Sequence, residues 1–179
     1  MALATGLSKD CAANSGGIKR IIIADEASVA SVAYNTAGTI VTGITMATGG
    51  TDAFYEFEFE QDTAEWRENG ELVNGSLKYT QELEFFIRKN NDTNRTGLAA
   101  LGNNCGFIVL IEDMNGTVYV LGHSNDLGAE RPMKLASDAT ASGKELTDLA
   151  GSTMTLTAMS VAKAHTADAS LTIDVVLAL

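Results

Sequence analysis

Five glutamates, Glu56, Glu58, Glu60, Glu82 and Glu84, form the most regular set of ionisable side chains in the sequence. Paired carboxylates cleave glycosides when they face each other about 5 to 10 Å apart across a cleft. A row along one strand does not supply that geometry. The two histidines, His123 and His165, and the two cysteines, Cys11 and Cys105, match the ligand count of a zinc site but lack paired spacing. Both histidines fall in stretches that read as solvated loops. Asp113, Asn115 and Gly116 resemble the start of a calcium loop whose remaining ligands are missing, and a type I′ turn explains them. There is no Gly-x-Ser-x-Gly elbow, phosphate-binding glycine loop or His-Glu-x-x-His pair. The reading is of a chain without catalytic residues, metal or cofactor.

The elements that carry the glutamates are extended. From Phe54 to Glu60 strict alternation puts Tyr55, Phe57 and Phe59 on one side and Glu56, Glu58 and Glu60 on the other. From Ser76 to Arg88 the same period separates Leu77, Tyr79, Leu83, Phe85 and Ile87 from Lys78, Thr80, Glu82, Glu84 and Arg88. These runs are expected to pair, giving a sheet with one oily and one acidic side. Gln61 to Gly75 joins them and reads as a long loop, with turn signals at Asn69-Gly70 and Asn74-Gly75. It carries the only tryptophan, Trp66, beside Arg67. Both types are enriched where proteins meet, although a tryptophan also folds back on its own core.

Further strands are expected at Ile18 to Ala24, Thr39 to Met46, Cys105 to Asp113, Thr117 to Gly122, Thr153 to Ser160 and Leu171 to Leu179. The stretch from 25 to 38 reads as weak strand or loop, and 123 to 148 as a long excursion. A helix is expected over 91–102, capped by Asp92 or Thr93 and closed by Gly102. Residues 1–16 read as a loosely held N-terminal arm, and 17–179 as a single β-rich domain.

A chain of 179 residues with one proline and 17 glycines fits one domain of strands and glycine turns. Its net charge of −11 opposes any surface built to grip nucleic acid or an acidic membrane. No apolar run is long enough to cross a bilayer, and no signal peptide is read at the N-terminus. Reduced thiols are therefore expected, and the sequons at Asn74, Asn91, Asn94 and Asn115 carry no weight.

In order, a Gly-Gly-Ile-Lys-Arg-Ile-Ile-Ile-Ala-Asp start leads to the alternating strand at 53–60, a long connection and the strand opening Gly75-Ser76-Leu77-Lys78-Tyr79. A short helix, the hairpin from Phe107 through Glu112-Asp113-Met114-Asn115-Gly116 to Leu121-Gly122, and a late 143–157 segment follow. This layout resembles the tail tube, or major tail, proteins of tailed bacteriophages over roughly residues 17–160. The order of elements carries the likeness, since each motif is ordinary hairpin chemistry.

The resemblance implies a mainly β fold, two packed antiparallel sheets of sandwich or barrel-like form with one flanking α-helix. It implies hexameric rings stacked into a tube whose bore passes the phage genome without specific DNA binding. Partners would be further copies of the chain and the tape-measure, terminator and distal tail proteins. The protein would reside in the virion tail, assembled in the bacterial host cytoplasm without inserting in a membrane. On this view Glu56, Glu58, Glu60, Glu82 and Glu84 line the lumen, and Trp66 and Arg67 make contacts between rings or subunits. The competing reading is a monomeric β-sandwich that binds or decorates a virion, and a hydrolase using the glutamates ranks last.

Overall fold

The computed structural model describes residues 14–48, 52–145 and 147–179. The fold is mainly β, with two sheets and one substantial helix. The strands are β1 (Ile18–Asp25), β2 (Val29–Tyr34), β3 (Ile40–Met46), β4 (Tyr55–Glu56), β5 (Glu65–Val73), β6 (Ser76–Arg88), β7 (Phe107–Asp113), β8 (Val118–Leu121), β9 (Lys134–Ala141), β10 (Gly151–Ser160) and β11 (His165–Ala167). Helix α1 (Asp92–Asn103) lies between β6 and β7, and a single-turn helix, α2 (Ile173–Leu177), follows β11.

The larger sheet has seven strands in the order β2-β3-β11-β8-β7-β1-β4. Its pairs are antiparallel except β3 with β11, which is parallel and departs from the all-antiparallel expectation. The apolar runs Ile21-Ile22-Ile23-Ala24 and Phe107 to Ile111 are buried on both faces, so they show no alternation. Ile21, Ile23, Phe107, Val109 and Ile111 point to the second sheet. Ile22, Ala24, Ile108 and Leu110 point the other way, under Phe54, Leu171, Ile173 and Val176.

The second sheet has four strands, β5-β6-β10-β9, antiparallel throughout. Leu83, Phe85, Met154, Leu156 and Ala158 fill its inner face, each worth roughly 1.5–3 kcal/mol when fully buried, less for the small Ala158. Leu98 and Leu101 of α1 close the same core. The helix is capped by Asn91, whose side chain accepts the Asn94 N–H at 2.8 Å, one residue before the expected cap. Gly102 lies inside the helix, whose C-cap is Asn104.

Several expectations change. The alternation at 54–60 is real, but only Tyr55–Glu56 forms a strand, and its partner is β1 rather than β6. Residues 57–60 are a strap between the sheets: Phe57 N–H donates to Ile21 O at 2.9 Å and Glu60 N–H to Phe86 O at 2.9 Å. A chain crossing between sheets cannot stay in either ladder. Phe57 and Phe59 still pack on the core, whereas Tyr55 is 63% exposed.

The expected loop at 61–75 is largely strand β5, hairpinned to β6 through Asn74 (φ 51°) and Gly75 (φ 82°). Asn69-Gly70 is not a turn. It lies within the strand, where a side chain on Gly70 would meet the Tyr79 ring at 2.9 Å. The final run is helix rather than strand, capped by the Thr172 hydroxyl and burying Ile173 and Val176. The excursion 123–148 contains β9, and residues 29–34 are a strand, β2. Of the N-terminal arm, Cys11 and residues 1–13 lie outside the described residues. Ser15 is held, its N–H donating to Asn115 Oδ1 at 3.0 Å while Asn115 Nδ2 donates back to Ser15 O at 3.0 Å.

Candidate functional site

Strand pairing determines which side chains share the outer face of the four-stranded sheet, because directly opposed residues point the same way. One row across the sheet is Glu65, Glu84, Thr155 and Ser137; the next is Arg67, Glu82, Thr157 and Lys134. Asn69, Thr80 and Met159 follow, and Glu71 and Lys78 end the face where β5 and β6 run on together. The result is a polar surface of threonine, glutamate and a few cations, with no described element packed over it. Its acidic members sit on β5 and β6, its threonines on β10.

Glu65 and Glu84 stand directly opposite each other, a like-charge pair that costs stability. Arg67 offsets it, bonded to Glu65 and reaching Glu82 at 3.2 Å. The Arg67 hydrogen bond holds the Glu65 carboxyl below its ordinary range, and Glu65 in turn raises the guanidinium. Lys78 reaches Glu71 at 3.1 Å. These pairs are solvated, so they set side-chain positions more than stability.

Both margins of this sheet are open. β5 and β9 are its end strands, nine and eight residues long, each hydrogen-bonded on one side only among the described residues. Beyond the core the β5–β6 hairpin projects with Leu72 71%, Val73 39% and Leu77 46% exposed. Leu72 and Leu77 are opposed on the two strands and form an apolar tip.

The five glutamates singled out from the sequence therefore do not form one row. Glu82 and Glu84 share the outer face of the small sheet. Glu56 is bonded to Arg20 at 2.7 Å, and Arg20 also reaches Asp174 of α2 at 2.7 Å. That bond holds the Glu56 carboxyl below its ordinary range. Glu60 is paired with Arg88 at 3.2 Å. With Glu58 these two residues border an open groove of ≈ 460 Å³ against α1, floored by Phe57, Phe59 and Leu98.

Trp66 and Arg67, on adjacent positions of a strand, point to opposite faces. Trp66 packs inward on Tyr119, ring centroids 4.7 Å apart, and joins the core between the sheets. Arg67 belongs to the outer face. The acidic member Glu65 and the tip residues Leu72 and Val73 were hidden by reading 61–75 as a loop, and Leu77, expected on the oily core face, is exposed because the hairpin runs past the core there. The signal that reveals them is Asn74-Gly75 followed by opposite charges in register, Glu71 with Lys78 and Arg67 with Glu82.

The histidines are not solvated loop residues. His165 is 8% exposed on β11, and His123 is half-buried with its Nδ1 2.6 Å from the Tyr34 hydroxyl. Cys105 is exposed with a free thiol. Among the described residues no three His, Cys, Asp or Glu side chains are grouped to hold a metal, and no helix is long and apolar enough to cross a membrane. No protein-family model, curated protein or solved structure matches the chain.

Proposed function

We propose that this protein is the structural, non-catalytic subunit of a phage tail tube, assembling as hexameric rings that stack around a channel for the genome. One observation carries the reading: a four-stranded sheet with a polar, acidic, uncovered outer face and two open edges. β5 and β9 run in opposite directions, since every pair between them is antiparallel. Copies related by rotation about an axis can therefore pair β9 of one with β5 of the next and continue the antiparallel ladder. Such head-to-tail contacts close into a ring and remove the free edges that otherwise drive uncontrolled aggregation.

The dimensions are consistent with the role. Six copies give about 24 strands, and at ~4.8 Å spacing and ~40° tilt the barrel has a backbone diameter of roughly 48 Å. Inward side chains leave a bore of roughly 35 Å, wide enough for a DNA duplex. The outer face of the sheet becomes the lining, with Glu82, Glu84 and Glu65 facing the bore. Carboxylates there repel a passing polyanion instead of releasing counterions to bind it. The tip residues Leu72, Val73 and Leu77 replace Trp66 as the contact to the next ring. Tape-measure, terminator and distal tail proteins are the remaining partners on this reading, and the virion tail, assembled in the host cytoplasm, is its location.

The test is electron microscopy and sedimentation velocity of the purified chain. Rings or tubes of uniform bore are expected, and Leu72→Glu with Leu77→Glu should leave rings while abolishing stacking. A chain that stays monomeric across protein and salt concentration overturns the proposal.

A further inference from the structure

His123 and His165, the only histidines of the chain, lie far apart in sequence and converge on one tyrosine. Tyr34, near the end of edge strand β2, places its hydroxyl 2.6 Å from His123 Nδ1 and stacks on that ring at 5.8 Å. Its other contact is edge-on to His165, centroids 5.1 Å apart. His165 is held by two backbone groups: Nδ1 lies 3.3 Å from Thr39 O, and Nε2 accepts the Asn125 N–H at 3.4 Å.

These partners dictate where the protons are. A carbonyl oxygen only accepts, so His165 Nδ1 carries the hydrogen and Nε2 is the acceptor. Burial, reinforced by Asp126, raises the Tyr34 phenol well above its ordinary range, so it stays protonated and donates to His123 Nδ1. Both rings are thereby neutral. Burial and the neighbouring His165 hold His123 below its ordinary value.

The cluster sits at a mechanical junction. Among the described residues the β2–β3 hairpin joins the rest of the large sheet through two register pairs, Thr166 with Ile40 and Ala167 with Val41, plus the Asp168 N–H to Val41 O bond at 2.8 Å. Tyr34 and Thr39 belong to this hairpin, His165 to β11, and His123 and Asn125 to the segment after β8.

We propose that Tyr34, His123 and His165 form an acid-sensitive clasp between the β2–β3 hairpin, β11 and the segment after β8, and that protonation of His123 opens it. A proton on His123 Nδ1 sets two donors face to face, so the phenol must turn away or the ring must leave. The charges around His123 do not offset the change. His165 acts on it from β11, and Arg131 lines the same small pocket, together with uncharged Gln81 of β6 and Ser160 of β10. Asp126 acts on Tyr34, and Glu68 of β5 meets the margin of the cluster, accepting from Gln81 Nε2 at 3.4 Å and from the Ala164 N–H at 2.6 Å.

Amide hydrogen exchange of the full chain at pH 7.4 and 5.5, corrected for intrinsic rates, tests the clasp. Residues 29–46 and 123–128 should lose protection several-fold, up to a single-proton limit of about tenfold, at pH 5.5 while β6 and β10 hold theirs. His123→Asn, a neutral side chain with an oxygen near the Nδ1 position, should abolish the difference. A uniform response, or an unchanged acid response in His123→Asn, overturns the proposal. NMR titration provides the second measurement: Tyr34→Phe should shift the His123 midpoint upward, and an unmoved midpoint overturns it too.

Discussion

Trp66 offers a substitution whose sign can be worked out from its surroundings. Its indole packs on Tyr119 and the inter-sheet core, yet Nε1 is buried without a hydrogen-bond partner among the described residues. A buried donor left unsatisfied costs about 1–3 kcal/mol. Trp66→Phe removes that cost. It also gives up about 40 Å² of apolar contact, about 1 kcal/mol, and leaves a void of about 40 Å³, again about 1 kcal/mol. The opposing terms leave Trp66→Phe within about 1 kcal/mol of the parent, whereas Trp66→Ala should cost about 3–5 kcal/mol. Urea unfolding followed by far-UV circular dichroism reads both, since the tryptophan signal is lost with the residue. A Trp66→Phe cost above ~3 kcal/mol refutes the reasoning, because the indole N–H would then have an acceptor. Unchanged unfolding in Trp66→Ala with lost assembly would move the residue from the core to a subunit contact.

Gly122 has φ 78°, and a Cβ there would lie 2.6 Å from Phe107 O and 2.7 Å from Met133 N, so Gly122→Ala should cost about 3 kcal/mol in the same assay. A loss below ~1 kcal/mol would mean those backbone groups give way freely. Arg20→Met should cost ~1 kcal/mol, because its partners Glu56 and Asp174 are well solvated. The sign with pH follows from Glu56, whose carboxyl is held below its ordinary 4.5 by Arg20. Its stabilisation is complete above about pH 4.5 and is lost as pH falls through the lowered value, so Arg20→Met should flatten the stability profile between pH 5 and 3; an unchanged slope counts against the pairing. Glu82→Lys with Glu84→Lys should leave the fold intact and make assembled tubes retain duplex DNA, with release on raising salt. Tubes that still ignore DNA place this row outside the bore.

The parts of the fold legible in the sequence are those where one local pattern had one physical outcome. Ser76 to Arg88 alternates because one face is core and the other water, and its face assignment holds for Leu83, Phe85, Glu82 and Glu84. The hairpin around Asn115-Gly116 reads directly, although its turn is a three-residue loop, Met114 to Gly116 with Gly116 at φ 82°, rather than type I′, because Asn115 keeps a negative φ. Leu98 and Leu101 show α1 by their spacing.

Other stretches carried a correct pattern whose partner lay elsewhere. Phe54 to Glu60 alternates, but its hydrogen bonds go to Ile21 in one sheet and Phe86 in the other, so the three glutamates there part company with Glu82 and Glu84. Leu171 to Leu179 is rich in β-branched residues, yet Ile173 and Val176 cover the far face of the large sheet, and that burial outweighs strand propensity. Trp66 could serve a core or an interface on composition alone; the register of β5 against β6 turns it inward and Arg67 outward.

Residue type, charge and period are properties of the chain itself, and they determined a β-rich protein with an acidic strand face. Which glutamates share that face, and that His123 and His165 meet at Tyr34, depends on contacts between residues distant along the chain. Only the tertiary structure decided these, because pairing between remote segments is governed by the burial of the whole core and leaves no periodic trace in either segment alone.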